Sequence, residues 1–309
     1  MNALFRAVGI SKQAYHQQAQ RSAAAAARAQ ALFWQADRYR SVHPGCGVEK
    51  LYYTLSPEGI GRDRYCELLL SSGYRVCYRP SHPRTTVPVA SQFGNLIEGM
   101  LLYRQDQLWQ SDITYFRLGE RFGYIVFIVD TYTKRIVGHC VSGSLHASAN
   151  VQALKMALAT RGGRVAGLVH HSDRGSQYAS KRYTELLQQQ GIHVSMGRKA
   201  TDNAYAERVN GIIKNEYLGY WAISSLADLR RAVRRAVRHY NQERVHRSLP
   251  GHQSPTQFEQ KVVTWPCQKR PTVIVYAEGN LRTPKASSLG SSWPEKTLPD
   301  HVCPIATVC

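Results

Sequence analysis

Acid is what this sequence has little of. Its 309 residues carry 21 aspartates and glutamates against 40 lysines and arginines, a formal charge of +19 and a pI near 9.8. A field of that sign repels basic partners and draws in polyanions. A nucleic acid is the first partner to expect, and an anionic membrane surface the second. Long apolar runs are also missing. The longest, Tyr124 to Val129, falls far short of the ~18 residues a membrane helix needs. Arg6 interrupts any charged-then-apolar leader at the N-terminus. The seven cysteines are odd in number, show no CxxC pair and have no neighbouring histidine pair. These absences exclude a secreted disulfide scaffold, a membrane span and a cysteine-built zinc module. They lead us to expect a soluble chain with reduced thiols in the cytoplasm.

What is present suffices for a sizeable core, since 43% of the residues are apolar. Leu4 to Val8 reads as a short helix, Gly9 as a break, and Ser11 as the cap of a second helix over Lys12 to Gln20. That pattern suits a helix-turn-helix. An alanine-rich stretch then runs into Leu32, Phe33 and Tyr39 as a connecting helix. Helices over Val48 to Leu55 and from Arg62 through Leu70, with an extended basic wing, form a second such module. Arg62 and Arg64 stand at its turn as DNA-contact candidates. A Pro-rich basic stretch from Pro80 to Pro88 follows.

The texture changes near Gln107. Strands are expected over Leu108 to Leu118, Phe122 to Val129 and Ile136 to Val141. Helices and short strands then alternate, with strands at Gly167 to His170 and His193 to Met196 and a helix from Ala204 to Leu218. This order predicts a mixed α/β layer fold. A long helix from Leu226 to about Asn241 bears an apolar stripe of Leu229, Val233, Val237 and Tyr240. Arg230, Arg231, Arg234, Arg235 and Arg238 cover its other faces. With Arg244 and Arg247 against Asp228 and Glu243, this stretch carries +5 and is expected to track a DNA backbone. Beyond Gln260 the pattern fades, apart from a strand at Thr272 to Tyr276.

In so basic a chain, three acids occupy unusual places. Asp112 lies mid-strand in WQSDITYF, where aspartate is disfavoured. Asp173 follows a short strand in LVHHSDRGSQY, at the edge where open α/β sheets place ligands. Glu207 lies near a helix start in TDNAYAERVNGIIKNEY. Singly, each reads as an edge gatekeeper, a turn cap or a helix-dipole partner. Together they suit two Mg²⁺ ions about 4 Å apart, with Mn²⁺ as a substitute, for in-line phosphoryl displacement. His171, Arg174 and Arg208 are weaker candidates for DNA contact. Asp130 reads as a structural turn residue, and Ser111 and Ser172 have no adjacent base.

The blocks WQSDITYF, HHSDRGSQY and DNAYAERVNGIIKNEY resemble the DDE transposases of the insertion sequence three family. So do KLYYTLSPEGIGRDRYCELL, GISKQAYHQ and HYNQERVHRSLPGHQSPTQFE. The resemblance spans about residues 1 to 260. It implies an α/β, RNase H-like integrase core preceded by all-α helix-turn-helix modules. It implies catalytic and metal roles for Asp112, Asp173 and Glu207, and the family's basic residue at Lys214. The 33 residues between Asp173 and Glu207 are two fewer than the common family spacing, with the shortening near Arg198 to Thr201. Asp202 and Glu216 are the alternative third acids. The implied activity is binding of terminal inverted repeats, cleavage that frees a 3′-hydroxyl, and strand transfer into double-stranded DNA. The implied partners are a homo-oligomer on DNA and an upstream-frame partner or fusion. A catalytically inactive DNA-binding regulator is the alternative reading. The expected units are a first module over 1–40, a second over 41–85, a linker over 86–103, a catalytic core over 104–220, a basic helix and arm over 221–262, and a tail over 263–309.

Overall fold

The computed structural model describes residues 9, 11–76, 93–163, 165–197 and 200–275. The short helix expected at Leu4 to Val8, most of the Pro-rich linker and most of the tail lie outside these residues. Among the described residues no helix is long and apolar enough to cross a membrane.

The chain opens with α1, Lys12–Arg40, whose N-cap Ser11 accepts from the Ala14 amide. The expected second helix and connecting helix are one continuous element, because nothing between Gln20 and Ala23 breaks a helix and five alanines favour it. Two shorter helices follow, α2 (Val48–Leu55) and α3 (Arg62–Ser71). Leu32 and Ala36 of α1 bury against Leu51 of α2 and Tyr65 and Leu69 of α3. The two modules read from sequence therefore share one small core, since the end of α1 supplies the apolar wall that α2 and α3 lack.

The central sheet comprises β2 (Leu108–Leu118), β3 (Arg121–Asp130), β4 (Ile136–Ser142), β5 (Val169–Ser172) and β6 (His193–Met196), following a two-residue β1 (Leu101–Leu102). Its order is β4-β3-β2-β5-β6; β2, β3 and β4 run antiparallel, while β5 and β6 run parallel to β2. The strand β5 begins two residues later than the Gly167 expected, because Gly167 has positive φ and belongs to the turn.

Successive side chains of a strand face opposite sides, and β3 uses both. Val126 and Ile128 pack on one side against α4 (Ala147–Thr160) and α5 (Lys181–Gln189). Ile125, Phe127 and Val129 pack on the other against α6 (Ala204–Glu216) and α7 (Leu226–Gln242). This double burial explains the unbroken apolar run of β3. Gly138 of β4 meets α4 so closely that a Cβ there would run into the Ala153 carbonyl.

The apolar stripe of α7, Leu229, Val233, Val237 and Tyr240, is wholly buried on the sheet. After it, α8 (Pro255–Val262) starts at a capping box between Ser254 and Gln257, with Pro255 in its first turn. Phe258 and Val262 bury against Leu108, Tyr132 and Val169. A short β7 (Val273–Ile274) pairs with β1. Thus α7 and α8, expected as an appended arm beyond a core ending at 220, pack on the sheet and complete its hydrophobic layers. The Ser-Pro-x-Gln start of α8 is a helix-start signal legible in the sequence.

Candidate active site

The register of β2 sets the site. Asp112 lies opposite Phe127 of β3, and Phe127 buries on the α6 side, so the Asp112 side chain faces α6 as well. In the parallel pair, Ser111 is level with Ser172 at the end of β5. Asp173 comes next in the chain, level with Asp112.

Two asparagines tie α6 to the strand. Asn203, at the helix start, donates to the Ser111 carbonyl at 2.8 Å. Asn210 donates through Nδ2 to Oδ2 of Asp112 at 2.7 Å. One helical turn before Asn210, Glu207 is exposed at the open end of this groove. One turn after it, Lys214 Nζ lies 3.4 Å from Thr114 Oγ1 and 5.1 Å from the Tyr115 ring centroid. Four residues on a helix and two on a strand advance by nearly equal lengths, about 6 to 7 Å. That match lets Asn210 meet Asp112 while Lys214 meets Thr114.

Burial, then the charges of Asp173 and Glu207, push the Asp112 carboxyl up to about 8, against the pull of the Ile113 amide and Asn210. Burial likewise raises Asp173, whose Oδ1 accepts from the Gly175 amide at 3.1 Å. Burial lowers Lys214 while Asp112 pulls it up. Among the described residues, no basic side chain forms an ion pair with Asp112, Asp173 or Glu207. Three carboxylates, of which Asp112 feels the charge of the other two and none is ion-paired among the described residues, are an oxygen donor set suited to a hard divalent cation. The donor set therefore fits magnesium.

The structure separates the remaining candidates. Glu216 is not the third acid. It is buried at the far end of α6, accepts from Arg244 Nε at 2.8 Å and pairs with Lys50, which hold its carboxyl below the usual range. Asp202 accepts from Asn95 at 3.3 Å and is buried beside β6. The short loop near Arg198 lies mostly outside the described residues. His171 has to be withdrawn as a DNA contact: it is fully buried, with Nδ1 shared with Ser195 Oγ at 2.8 Å. It lies level with Gln110 of β2 and Ser195 of β6, which are buried on the same covered stretch of the sheet. Arg244, counted with the basic face of α7, is likewise internal, because Glu216 needs its guanidinium.

Arg174 donates through Nε to the Gly197 carbonyl at 2.9 Å. Arg208 is exposed on α6. Arg234, Arg235 and Arg238 stand on the exposed face of α7, as does Arg231, which pairs with Asp228. On α3, Arg62 pairs with Asp63 at 2.7 Å and Arg64 is exposed. Ser111 is sealed by hydrogen bonds to the Phe127 carbonyl and Tyr178 hydroxyl. Sequence reasoning missed Thr114 and Asn203; the Asp-Asn pair before the helix was the only signal for the latter.

The family pattern described as "Integrase core domain" matches residues 103–201, and a second pattern with that description matches 188–255. The transposase for insertion sequence element IS629 of Shigella sonnei is 35% identical over 227 residues, covering 72% of this chain and 76% of that one. This chain belongs to the insertion sequence three family of DDE transposases. The transposase is also 32% identical to the putative transposase for IS986/IS6110 of Mycobacterium tuberculosis, over 65% of this chain and 76% of that one. The HTLV-2 integrase catalytic core domain in complex with magnesium matches the transposase at TM-score 0.40 and 21% identity, over 53% of this chain and 99% of that one. As a DDE transposase the chain is a polynucleotidyl transferase with an integrase core. Its mixed sheet flanked by helices is the corresponding RNase H-like fold.

Proposed function

We propose that the transposase binds the terminal inverted repeats of an insertion sequence and carries out Mg²⁺-dependent cleavage and strand transfer with Asp112, Asp173 and Glu207. The observation that supports this reading is that the charges of Asp173 and Glu207 both act on the buried Asp112 carboxyl, with no ion pair to any of the three among the described residues, in a strongly basic chain. Two bound Mg²⁺, or Mn²⁺ in their place, would supply charge stabilisation at the attacking and leaving oxygens. Asp112 and Asp173 face each other across β2 and β5 and hold the fixed side of the site. Glu207 holds the open side from the first turn of α6, where a shift of the helix adjusts its reach. Asn210 orients the Asp112 carboxylate and leaves its other lone pairs for ligation. Lys214 holds the terminal phosphate of the DNA end as a point charge.

In the first step a water oxygen bonds to the phosphorus at the element end, the bond to the 3′-oxygen breaks, and that oxygen leaves as a 3′-hydroxyl. In the second, the same hydroxyl attacks a phosphodiester of another duplex and displaces its 3′-oxygen. Exposed Arg208, Arg231, Arg234, Arg235 and Arg238 neutralise backbone phosphates, Arg174 flanks the site, and Arg62 and Arg64 contact the ends through the helical module. Two ends must meet, so the working form is a homo-oligomer on DNA, with or without an upstream-frame partner, in the bacterial cytoplasm at the nucleoid.

The test is a strand-transfer assay with an oligonucleotide carrying the inverted repeat that flanks the coding region. Joined product should need Mg²⁺ or Mn²⁺ and the repeat sequence. Equal joining of a scrambled end, or full activity in a chelator, would overturn the reading.

A further inference from the structure

A second group of ligand-type side chains lies away from the carboxylate trio, at the seam between the helical module and the core. His43 follows α1, and His239 and Glu243 sit four residues apart at the end of α7. Their ligand atoms all lie within 4.8 Å of one another. His43 Nε2 is 2.9 Å from Glu243 Oε2, and His239 Nδ1 is 2.9 Å from Glu243 Oε1. We propose that His43, His239 and Glu243 form a zinc site that clamps the N-terminal helical module to the catalytic core.

Two imidazoles and a carboxylate are a donor set zinc takes in open, three-ligand sites. Bonds of about 2.0 to 2.2 Å put tetrahedral donors roughly 3.3 Å apart, so the atoms need close by only roughly 1.5 Å. Both rings are already fixed. His43 stacks on Tyr39 at 4.4 Å and places Nδ1 3.1 Å from the Tyr217 hydroxyl, an outer partner of the kind that orients a ligating histidine. Both histidines are buried, while the Glu243 side chain is 43% exposed, leaving an entry path and a position for water. Two cations border the site. Arg244 is neutralised by Glu216. Arg235 donates from Nε to His239 Nε2 at 3.4 Å; it is exposed, with its guanidinium over the Trp221 ring at 4.9 Å. That bond puts the His239 proton on Nδ1; ligation through Nδ1 moves it to Nε2, with no proton lost, and displaces the Arg235 bond.

The ligands come from both sides of a seam that is otherwise polar. Gly45 donates its amide to the Glu216 carbonyl at 3.0 Å, and a Cβ at Gly45 would collide with the α6 backbone. Lys50 pairs with Glu216, and Arg247 with Glu49 at 2.7 Å. An ion binding only the joined state adds its binding energy to docking.

The full chain carrying Asp112→Asn, stripped with chelator and kept in excess Mg²⁺, should be titrated with Zn²⁺ by calorimetry and with Co²⁺ by visible absorption. We expect one Zn²⁺ per chain, tetrahedral Co²⁺ bands and a Zn²⁺-dependent rise in Tm. Adding Glu243→Gln, at an exposed position the fold tolerates, should weaken binding at least about tenfold and remove the Tm rise; His239→Gln should do the same. Unchanged Zn²⁺ affinity in the Glu243→Gln chain, or no Zn²⁺ bound by its parent, would overturn the site.

Discussion

Just before β2, Asp106 lies 2.9 Å from the Arg161 guanidinium, which also pairs with Glu259 and stands 3.9 Å from Asp130. Arg135 adds a second bond to Glu259 at 2.9 Å. Six residues after Asp106, Asp112 lies beside Asp173 and Glu207, and no arginine or lysine among the described residues is bonded to any of the three. Both groups contain three acids drawn from distant parts of the chain, and both are partly buried in the same sheet. In the first the fold supplies the counter-charge and every acid becomes an internal fastener. In the second it leaves charge that a cation from outside can neutralise. The difference separates acids that hold the transposase together from acids that are open to chemistry.

Substitutions should break this contrast in opposite ways. Asp112→Asn should lower strand transfer by at least about 10³-fold, which corresponds to about 4 kcal/mol of transition-state stabilisation. It should leave end binding intact and Tm unchanged or raised, because it removes repulsion from Asp173. Joining assays and thermal melts on the same preparation check both halves. Arg161→Met should do the reverse. It strands buried carboxylates without a partner at a cost of about 3–5 kcal/mol, visible in denaturant unfolding, while residual folded protein keeps its activity per molecule.

Acid provides a third test. Burial lowers His170 to about 3 and His139 to about 4. The unfolded chain, with histidine near 6.5, then binds more protons than the folded one below that pH. The contribution of these histidines should therefore be level above about pH 6.5 and fall from there toward pH 4, by at most about 1.4 kcal/mol per pH unit per histidine. Asp112, raised to about 8, works in the opposite sense. The histidine part is therefore read as the difference in melts between the chain and its His139→Gln variant; a difference that stays constant with pH through that window would contradict neutral burial. The smallest effect belongs to the exposed face of α7. Combined alanine substitution of Arg234, Arg235 and Arg238 should reduce the salt slope of DNA binding by up to about 0.9 for each phosphate left without its arginine. Tm should stay near its original value, because the buried stripe of α7 is untouched.

The two acid groups also differ in how readable they were. Asp112 breaks a strand pattern and Asp173 ends a strand, so each looked out of place beside its own neighbours. The Arg161 cluster has no local signature, since its members lie at 106, 130, 161 and 259 and each alone looks like a solvated charge. Asp130 was legible as a turn residue because it ends a strand at a turn, and its carboxylate accepts from the Thr133 amide and hydroxyl. His171 misled for the converse reason. Two residues before Asp173, it shares that face of the strand, but it lies one step further in, level with the buried Gln110 and Ser195. The stripe of the helix after residue 220 was legible in sequence; the surface that covers it was not, because that surface comes from the distant strands β3 and β4.

By itself the sequence determined the alternation of strands and helices, the basic surround and the three acidic words of the family. These are local properties, governed by side-chain period, propensity and short-range spacing. The tertiary structure alone decided which acids gain internal counter-ions, that α7 and α8 complete the core, and that His43 meets Glu243 across 200 positions. Charge compensation and ligand geometry depend on atoms within a few ångströms of each other, and only folding decides which distant residues those are.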